Sequence, residues 1–220
     1  MPRSYAIGDI HGCLDKLEAL VARCQADAQG EPAMFVFLGD MIDRGPDSRG
    51  VVEFLIDFQR RLPGQVICLC GNHEDMALHA IDDPAEIDQW VAFNGGRAAL
   101  RSYGVPRPSQ LPDDHVAWFR ALPTYHDDGR RFFVHAGIDP SRPLDRQDRY
   151  DLLWMREPFL SDSRDHGRFI VHGHTPLRNG KPDLRRNRVN VDTAAVLGGP
   201  LTAAVFDESA PGPIGFLQQA

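Results

Sequence analysis

The sequence predicts an α/β fold that begins with a parallel βαβαβ unit and ends with a second sheet of shorter strands. Three observations lead to this prediction: apolar runs recur along residues 1–72, amphipathic stretches separate them, and short strand-like runs return after residue 122. The 220 residues suit one domain of ordinary size. A content of 42% hydrophobic and 25% charged residues is typical of globular proteins.

The first unit shows a repeated pattern at its strand ends. The runs "SYAIGD", "MFVFLGD" and "QVICLCGN" are apolar, and each ends in glycine followed by an oxygen-bearing side chain, at Asp9, Asp40 and Asn72. These side chains are 31 and 32 positions apart. A strand, a crossover helix and the next strand occupy about 30 residues. Because parallel strands place their carboxyl ends at one edge, we expect the three side chains to lie together.

Helical periodicity fills the intervals between these runs. Leu14, Leu17, Val21 and Cys24 share one face of a predicted helix, and residues 51–58 show the same spacing less strictly. Residues 74–122 lack a strand signal, and we expect a helical insertion or cap there. The strand-like runs that follow are "RRFFVHAG", "RFIVHGHT", "RVNVDTA", "LTAAVFD" and "GFLQ".

Histidines follow the strand-like runs of the second half. His135 ends "FFVHAG" and His174 lies in "FIVHGHT", while His11 and His73 accompany the oxygen-bearing residues of the first half. Mixed carboxylate and imidazole ligands suit Mn, Fe, Zn or Ni better than Ca or Mg. The set contains no cysteine, which argues against a structural zinc site.

Composition and charge disfavour several classes of protein. A net charge of −7 makes general nucleic-acid binding an unfavourable interpretation. The chain has no apolar run long enough to span a membrane and no apolar signal region, so we expect no membrane partner and a cytoplasmic location. The four cysteines form no C-x-x-C pair and predict reduced thiols. The sequence does not indicate an oligomeric state.

Five motifs, "GDIHG", "GDMIDRG", "GNHE", "HAG" and "GHT", occur in this order. Together they resemble the calcineurin-like metallophosphoesterases, and more narrowly the serine/threonine phosphoprotein phosphatases in their compact bacterial and phage form. The segments "FNGGRAALRSYG" and "LLWMRE" extend the resemblance over nearly the whole chain. It implies one metallophosphoesterase catalytic domain over residues 1–220, with two mixed β-sheets packed as a sandwich, helices outside and residues 74–122 inserted.

The same resemblance implies a centre of two divalent transition-metal ions, with Mn as the leading candidate and Fe, Zn or Ni as alternatives. Asp9 and His11 would bind the first ion, and Asp40 would bridge both. Three further residues would complete the second ion: Asn72, His135 and His174.

The resemblance also implies roles for residues beside the ions. His73 would protonate the leaving oxygen, and Asp43 would hold His73 in its tautomer and orientation. Arg44 would bind the phosphate as a planar donor fork. Arg156 of "LLWMRE" is the candidate for a second phosphate contact, with an exposed helical arginine as the alternative. His172 is expected to form hydrogen bonds in the interior rather than to bind metal.

The function implied is that of a metal-dependent phosphomonoesterase. It would hydrolyse phosphoserine and phosphothreonine in proteins by attack of a hydroxide that bridges the ions, so a phosphoprotein or small phosphoester would be its substrate. One alternative is a dinucleoside polyphosphate hydrolase acting on diadenosine tetraphosphate, for which Trp90 or Tyr103 could stack a base if they do not pack in the core. Symmetrical tetraphosphatases tend to carry "GDLVARG" and "GNHD", whereas this chain has Asp43 and Glu74. The remaining alternative is a non-catalytic phosphate-binding module.

The chain departs from the family pattern at a few positions. "HAG" and "LCGNHE" stand where eukaryotic protein phosphatases have "HGG" and "RGNHE", which leaves the preference for protein substrates open. The segment "DTAAVLGG" places Ala194 where bacterial members have the glycine of "DTGA". We therefore expect an altered turn near the site.

Overall fold

Two five-stranded mixed sheets form the framework of the molecule, which the computed structural model describes over residues 3–220. The strands are β1 (Arg3–Ile7), β2 (Ala33–Phe37), β3 (Val66–Cys68), β4 (Tyr125–Asp127), β5 (Arg131–Val134), β6 (Phe169–His172), β7 (Asp183–Leu184), β8 (Arg188–Asn190), β9 (Leu201–Phe206) and β10 (Gly215–Gln219). The first sheet has the order β10-β9-β1-β2-β3 and the second has the order β4-β5-β6-β8-β7.

Each sheet has a parallel centre. In the first sheet β1, β2 and β3 are parallel, and β9 and β10 extend it in antiparallel pairs. In the second sheet β5, β6 and β8 are parallel, with β4 and β7 as antiparallel edges. The predicted βαβαβ unit and a second sheet are thus confirmed, but the prediction that the runs "LTAAVFD" and "GFLQ" belong to that second sheet is wrong. They form β9 and β10 of the first sheet, where β9 pairs with the free edge of β1.

Within residues 3–220 the structure has six α-helices. They are α1 (Leu14–Asp27), α2 (Ser48–Arg61), α3 (Asn72–Asp82), α4 (Gly96–Tyr103), α5 (Asp113–Ala121) and α6 (Arg149–Trp154). A short π-helix, Gln89–Phe93, precedes α4. Among residues 3–220, no helix combines the length and apolar character needed to cross a lipid bilayer.

The core has three apolar layers that follow the alternation of side chains along the strands. Ala6 of β1 and Val36 of β2 face Val171 and Val189 of the second sheet. The opposite face of the first sheet carries Tyr5, Ile7, Phe35 and Phe37, against which the buried faces of α1 and α2 pack. The third layer covers the outer face of the second sheet, around Phe132, Ile170, Leu152 and Phe159. This arrangement leaves the carboxyl ends of the central strands at one rim.

The structure differs from the sequence prediction in two further details. Strands β4 and β7 span three and two residues and are largely polar or exposed, so they carry no apolar periodicity. Helix α3 begins at Asn72 rather than after residue 73, which places Asn72 and His73 on its first turn. Their side chains are therefore held by a helix rather than by a loop.

Candidate metal and catalytic site

Loops from both sheets converge at the rim formed by the central strands. Asp9, Asp40 and Asn72 follow β1, β2 and β3, in agreement with the expectation that they lie together. His135, His174 and Asp192 follow β5, β6 and β8 of the second sheet. These six side chains are buried, with at most 8% of their surface exposed. The site thus depends on both sheets.

Two groups of possible metal ligands share the Asp40 carboxylate. The first contains His11, Asp40 and His73, and the second contains Asp40, His135 and His174, with the donor atoms of each group within 4.8 Å of one another. Asp40 Oδ2 lies 3.4 Å from His11 Nε2, and Asp40 Oδ1 lies 3.3 Å from His135 Nε2. One carboxylate therefore faces both clusters.

Hydrogen bonds to backbone carbonyls fix the tautomers of two histidines. His11 Nδ1 lies 2.8 Å from the Ile42 carbonyl oxygen, and His135 Nδ1 lies 2.9 Å from that of Leu38. Since a carbonyl oxygen can only accept, each Nδ1 carries the proton. The two unprotonated Nε2 atoms then carry lone pairs within 3.4 Å of an Asp40 carboxylate oxygen, as metal-binding imidazoles require.

Asn72 and Asp9 lie at the junction with the second sheet. Asn72 Oδ1 lies 2.9 Å from His135 Nε2 and 3.0 Å from His174 Nδ1. The Asp9 carboxylate accepts the His174 backbone N–H at 3.1 and 3.2 Å. All six residues expected to bind metal are thus brought together, although Asp9 lies outside the two groups defined by mutual donor distance.

The electrostatics of the cluster suit a bound cation. Burial, followed by the charges of Asp192 and Asp40, raises the pKa of Asp9 well above its usual value. Burial and then Glu74 raise the pKa of Asp40 in the same way. Burial also lowers the pKa of His11 to about 3, which keeps its imidazole neutral. Buried carboxylates beside neutral imidazoles form a donor set that fits a divalent transition-metal ion.

Glu74 holds the loop that carries Asp40. Its carboxylate accepts the backbone N–H groups of Gly71, Asp40, Met41 and Ile42 at 2.8–3.2 Å. Asp40 itself has a φ of 52°, a left-handed conformation that a non-glycine residue adopts at a cost of about 1–2 kcal/mol. Sequence reasoning assigned no role to Glu74, although its position in "GNHE" was a usable signal.

His73 and Asp43 form a buried pair beside the clusters. His73 Nδ1 donates to Asp43 Oδ2 at 2.6 Å, so Nε2 is the free ring atom. That Nε2 lies 3.9 Å from Asp40 Oδ2 and has no hydrogen-bond partner among the described residues. Burial lowers the pKa of His73 and raises that of Asp43, and a hydrogen bond from Trp90 lowers the Asp43 pKa in part. The geometry suits the predicted orientation of His73 by Asp43.

The two candidate phosphate contacts differ in position. Arg44 is exposed overall but its guanidinium reaches into the site, with Nη1 2.8 Å from His11 Nε2, and its backbone N–H donates to the Gly95 carbonyl at 3.2 Å. Arg156 is exposed, and its positive charge acts on His174 and on Asp192 from the edge of the site. Arg44 can therefore reach the buried cluster, whereas Arg156 lies at the rim.

Asp192 is a third buried carboxylate that the sequence analysis did not assign. It lies beside Asp9. Burial is the largest influence on the pKa of Asp192 and raises it to about 6. Its Oδ1 accepts the Ala194 backbone N–H at 3.0 Å. The signal was present, because the residue follows the apolar run of β8 as Asp9 follows that of β1.

Ala194 lies in the turn after β8 in a left-handed conformation, with φ 61° and ψ 44°. Replacing Ala194 by glycine should relieve the Cβ strain and raise the free energy of unfolding by about 0.5–1 kcal/mol, or Tm by about 1–4 °C. Thermal unfolding of the metal-free protein measures this change. Ala195→Gly is the matched control, because Ala195 lacks a positive φ and should lose stability. A lower Tm for Ala194→Gly would contradict the strain argument.

The remaining sequence candidates lie in the interior. The ring of His172 is buried, with Nδ1 3.1 Å from the Gly173 carbonyl oxygen and Nε2 3.3 Å from Arg188 Nη1. Trp90 is fully buried and Tyr103 is 7% exposed, with its hydroxyl 2.9 Å from His115 Nδ1. Both Trp90 and Tyr103 therefore pack in the core, and neither ring is available to stack a base.

Comparisons with known proteins identify relatives of this chain. The family model for calcineurin-like phosphoesterases matches residues 2–199. A serine/threonine-protein phosphatase 1 from Salmonella typhimurium is 32% identical over 91% of this chain and 90% of the relative. An asymmetrical bis(5'-nucleosyl)-tetraphosphatase PrpE from Oceanobacillus iheyensis is 26% identical over 92% of this chain and 88% of the relative. A solved structure assigned provisionally as a diadenosine tetraphosphatase superposes with a TM-score of 0.71 at 23% identity, over 99% of this chain and 94% of that one.

Proposed function

Because this chain belongs to the calcineurin-like phosphoesterase family, whose members bind divalent metals, we propose that it is a metal-dependent phosphomonoesterase acting on phosphoserine and phosphothreonine in proteins. The proposed first ion site is formed by Asp9, His11 and Asp40. Asp40 also belongs to the proposed second site, together with Asn72, His135 and His174. Two divalent ions, with manganese as the leading candidate, would supply charge neutralisation of the phosphoryl oxygens and activation of water.

The protein's own side chains would position the substrate and move the proton. Arg44 Nη1 reaches the cluster and can bind a phosphoryl oxygen as a charge-assisted donor. His73 Nε2 would donate its proton to the departing serine or threonine oxygen. The negative charge of the bound phosphate would favour protonation of His73 Nε2. Asp43, hydrogen-bonded to Nδ1, would stabilise the resulting imidazolium.

The Asp43–His73 pair is the observation that carries the choice of substrate. A serine or threonine alkoxide is a poor leaving group and needs a proton as the P–O bond breaks. A dinucleoside tetraphosphate releases a nucleoside phosphate, which departs with little proton assistance. A buried, oriented imidazole next to the cluster is therefore of more use with a phosphomonoester.

A dinucleoside polyphosphate hydrolase is the second candidate, and an exposed aromatic surface favours it. Tyr150 is 71% exposed and stacks on Trp154, with ring centroids 6.3 Å apart and an interplanar angle of 21°. Trp154 in turn meets the ring of His174 at 6.0 Å, edge to face. Such a surface beside a proposed ligand could stack a nucleobase, which is worth about 1–3 kcal/mol.

The experiment that tests the proposal is a side-by-side measurement of kcat/KM under saturating manganese. We expect kcat/KM for a phosphoserine or phosphothreonine protein to exceed kcat/KM for diadenosine tetraphosphate. A preference of tenfold or more for the dinucleotide, about 1.4 kcal/mol in transition-state binding, would promote the second candidate. Tyr150→Ala is the matched variant: it should weaken use of the dinucleotide alone if Tyr150 stacks a base. If the protein does not release nitrophenol from nitrophenyl phosphate, a non-catalytic phosphate-binding module becomes the favoured interpretation.

A further inference from the structure

Trp90 makes a contact that no role assigned above explains. Its indole Nε1 donates to Asp43 Oδ2 at 2.7 Å, and this is the same oxygen that accepts from His73 Nδ1 at 2.6 Å. Trp90 is fully buried in the π-helix Gln89–Phe93. Single turns of π-helix within helical segments are frequent at functional sites.

The Asp43 carboxylate has few other restraints. Its second oxygen, Oδ1, is buried and has no hydrogen-bond partner among residues 3–220. Without Trp90, the carboxylate would be held by hydrogen bonding only to His73, the ring that it has to orient. An independent donor on Oδ2 therefore fixes the direction in which the carboxylate presents itself to the imidazole.

The backbone around Asp43 needs external support as well. Asp43 and Arg44 have φ values of 74° and 66°, so two consecutive non-glycine residues adopt the left-handed conformation. Ser48 Oγ accepts the Asp43 N–H at 3.0 Å, and the Gly95 carbonyl accepts that of Arg44 at 3.2 Å. The segment that contains Trp90 and Gly95 thus contacts both strained residues.

Close packing fixes the indole in turn. A Cβ added to Gly96, the first residue of α4, would lie 2.5 Å from the Trp90 ring. The ring therefore sits directly against the backbone of α4, where a side chain would force it to move.

We propose that Trp90 is a positioning residue for the Asp43–His73 pair, and that residues 89–96 support proton donation to the leaving group through this hydrogen bond. The inference rests on the proposed function, because it assumes that His73 is the proton donor. Among the described residues, the Trp90 side chain makes its hydrogen bond to Asp43 and none to a proposed metal ligand, so it acts through Asp43.

Trp90→Phe tests the inference by removing the N–H and keeping an aromatic ring. Under saturating manganese, we expect kcat to fall about 10–100-fold on a phosphoserine peptide and less than about threefold on nitrophenyl phosphate, whose leaving group needs little protonation. In an Asp43→Asn background, the same substitution should cost less than about threefold on the peptide, since residues that act as one unit are not additive.

Trp118→Phe is the matched control. It removes an indole donor, here to Gln59 Oε1 at 2.8 Å, in a region away from the cluster, and both activities should stay unchanged. If Trp90→Phe does not fold, Gly96→Ala replaces it, because the added methyl displaces the indole and should produce the same substrate-selective loss.

Two results would overturn the inference: an equal loss of kcat on both substrates, or an undiminished effect in the Asp43→Asn background. His73→Asn separates this failure from failure of the proposed function. If His73→Asn shows the selective loss and Trp90→Phe does not, only the role of Trp90 is wrong. If His73→Asn itself lacks selectivity, proton donation by His73 is wrong.

Discussion

Replacing His73 by asparagine is expected to lower kcat on alkyl phosphates by about 10²–10⁴ while the protein retains its metal. The side chain is nearly isosteric with part of the ring, and the proposed ligands around it remain. The loss of rate follows from an alkoxide that must leave without a proton. Steady-state kinetics on a phosphoserine peptide, together with the metal content of the purified variant, measures both halves of the prediction.

Two comparisons sharpen this prediction. The loss should shrink on nitrophenyl phosphate, and Asp43→Asn should show the same selectivity in milder form. His73 also belongs to the donor group of His11 and Asp40, so it could instead be a metal ligand. Loss of a bound ion from His73→Asn, or an equal loss of rate on both substrates, would favour that alternative.

Removal of metal by a chelator is expected to abolish activity, and manganese should restore it. Burial and then the charges of Asp192 and Asp40 raise the pKa of Asp9, and a divalent cation would relieve this unfavourable interaction. A ligand present at 100 times its Kd stabilises the folded state by about 2.7 kcal/mol, which corresponds to about 5–11 °C in Tm for a chain of this size. Thermal unfolding with and without manganese therefore provides a readout that is independent of catalysis.

Asp40→Asn should remove most of this stabilisation, because both proposed sites share its carboxylate. Asp57→Asn is a suitable control, since Asp57 is an exposed helix residue paired with Arg61 and should leave the manganese effect intact. Two results would contradict the two-ion proposal. One is full activity in thoroughly demetallated protein, and the other is an increase in the Tm of Asp40→Asn with manganese as large as that of the unmodified protein.

Much of the site could be predicted because parallel strands align their carboxyl ends. Asp9, Asp40 and Asn72 each follow an apolar run, and the spacing between them matches a crossover helix. His135 and His174 follow the same rule in the second sheet. Local pattern and global arrangement coincide at these positions, so the residues alone indicated that they would meet.

Glu74 and Trp90 depend on contacts that the hydrophobic periodicity of the sequence does not reveal. Glu74 accepts from four backbone N–H groups, and Trp90 donates from its indole nitrogen to a residue 47 positions away. A buried tryptophan in a helical segment looks the same in sequence whether it fills space or donates a hydrogen bond. Edge strands β4 and β7 were missed for a related reason, since their pairing is set by neighbouring strands rather than by their own side chains.

The strand order of the first sheet bears on how the chain is made. Strand β1 lies between β2 and β9, and Ser4 pairs with Phe206 near the opposite end of the chain. At about 5–20 residues per second, ribosomal synthesis leaves that edge of β1 unpaired for roughly 10–40 s. An apolar edge is a template for the strands of other nascent chains. Translation that stalls before Leu201 would therefore release a βαβαβ unit with an open, aggregation-prone side, and chaperone protection would matter most during this interval.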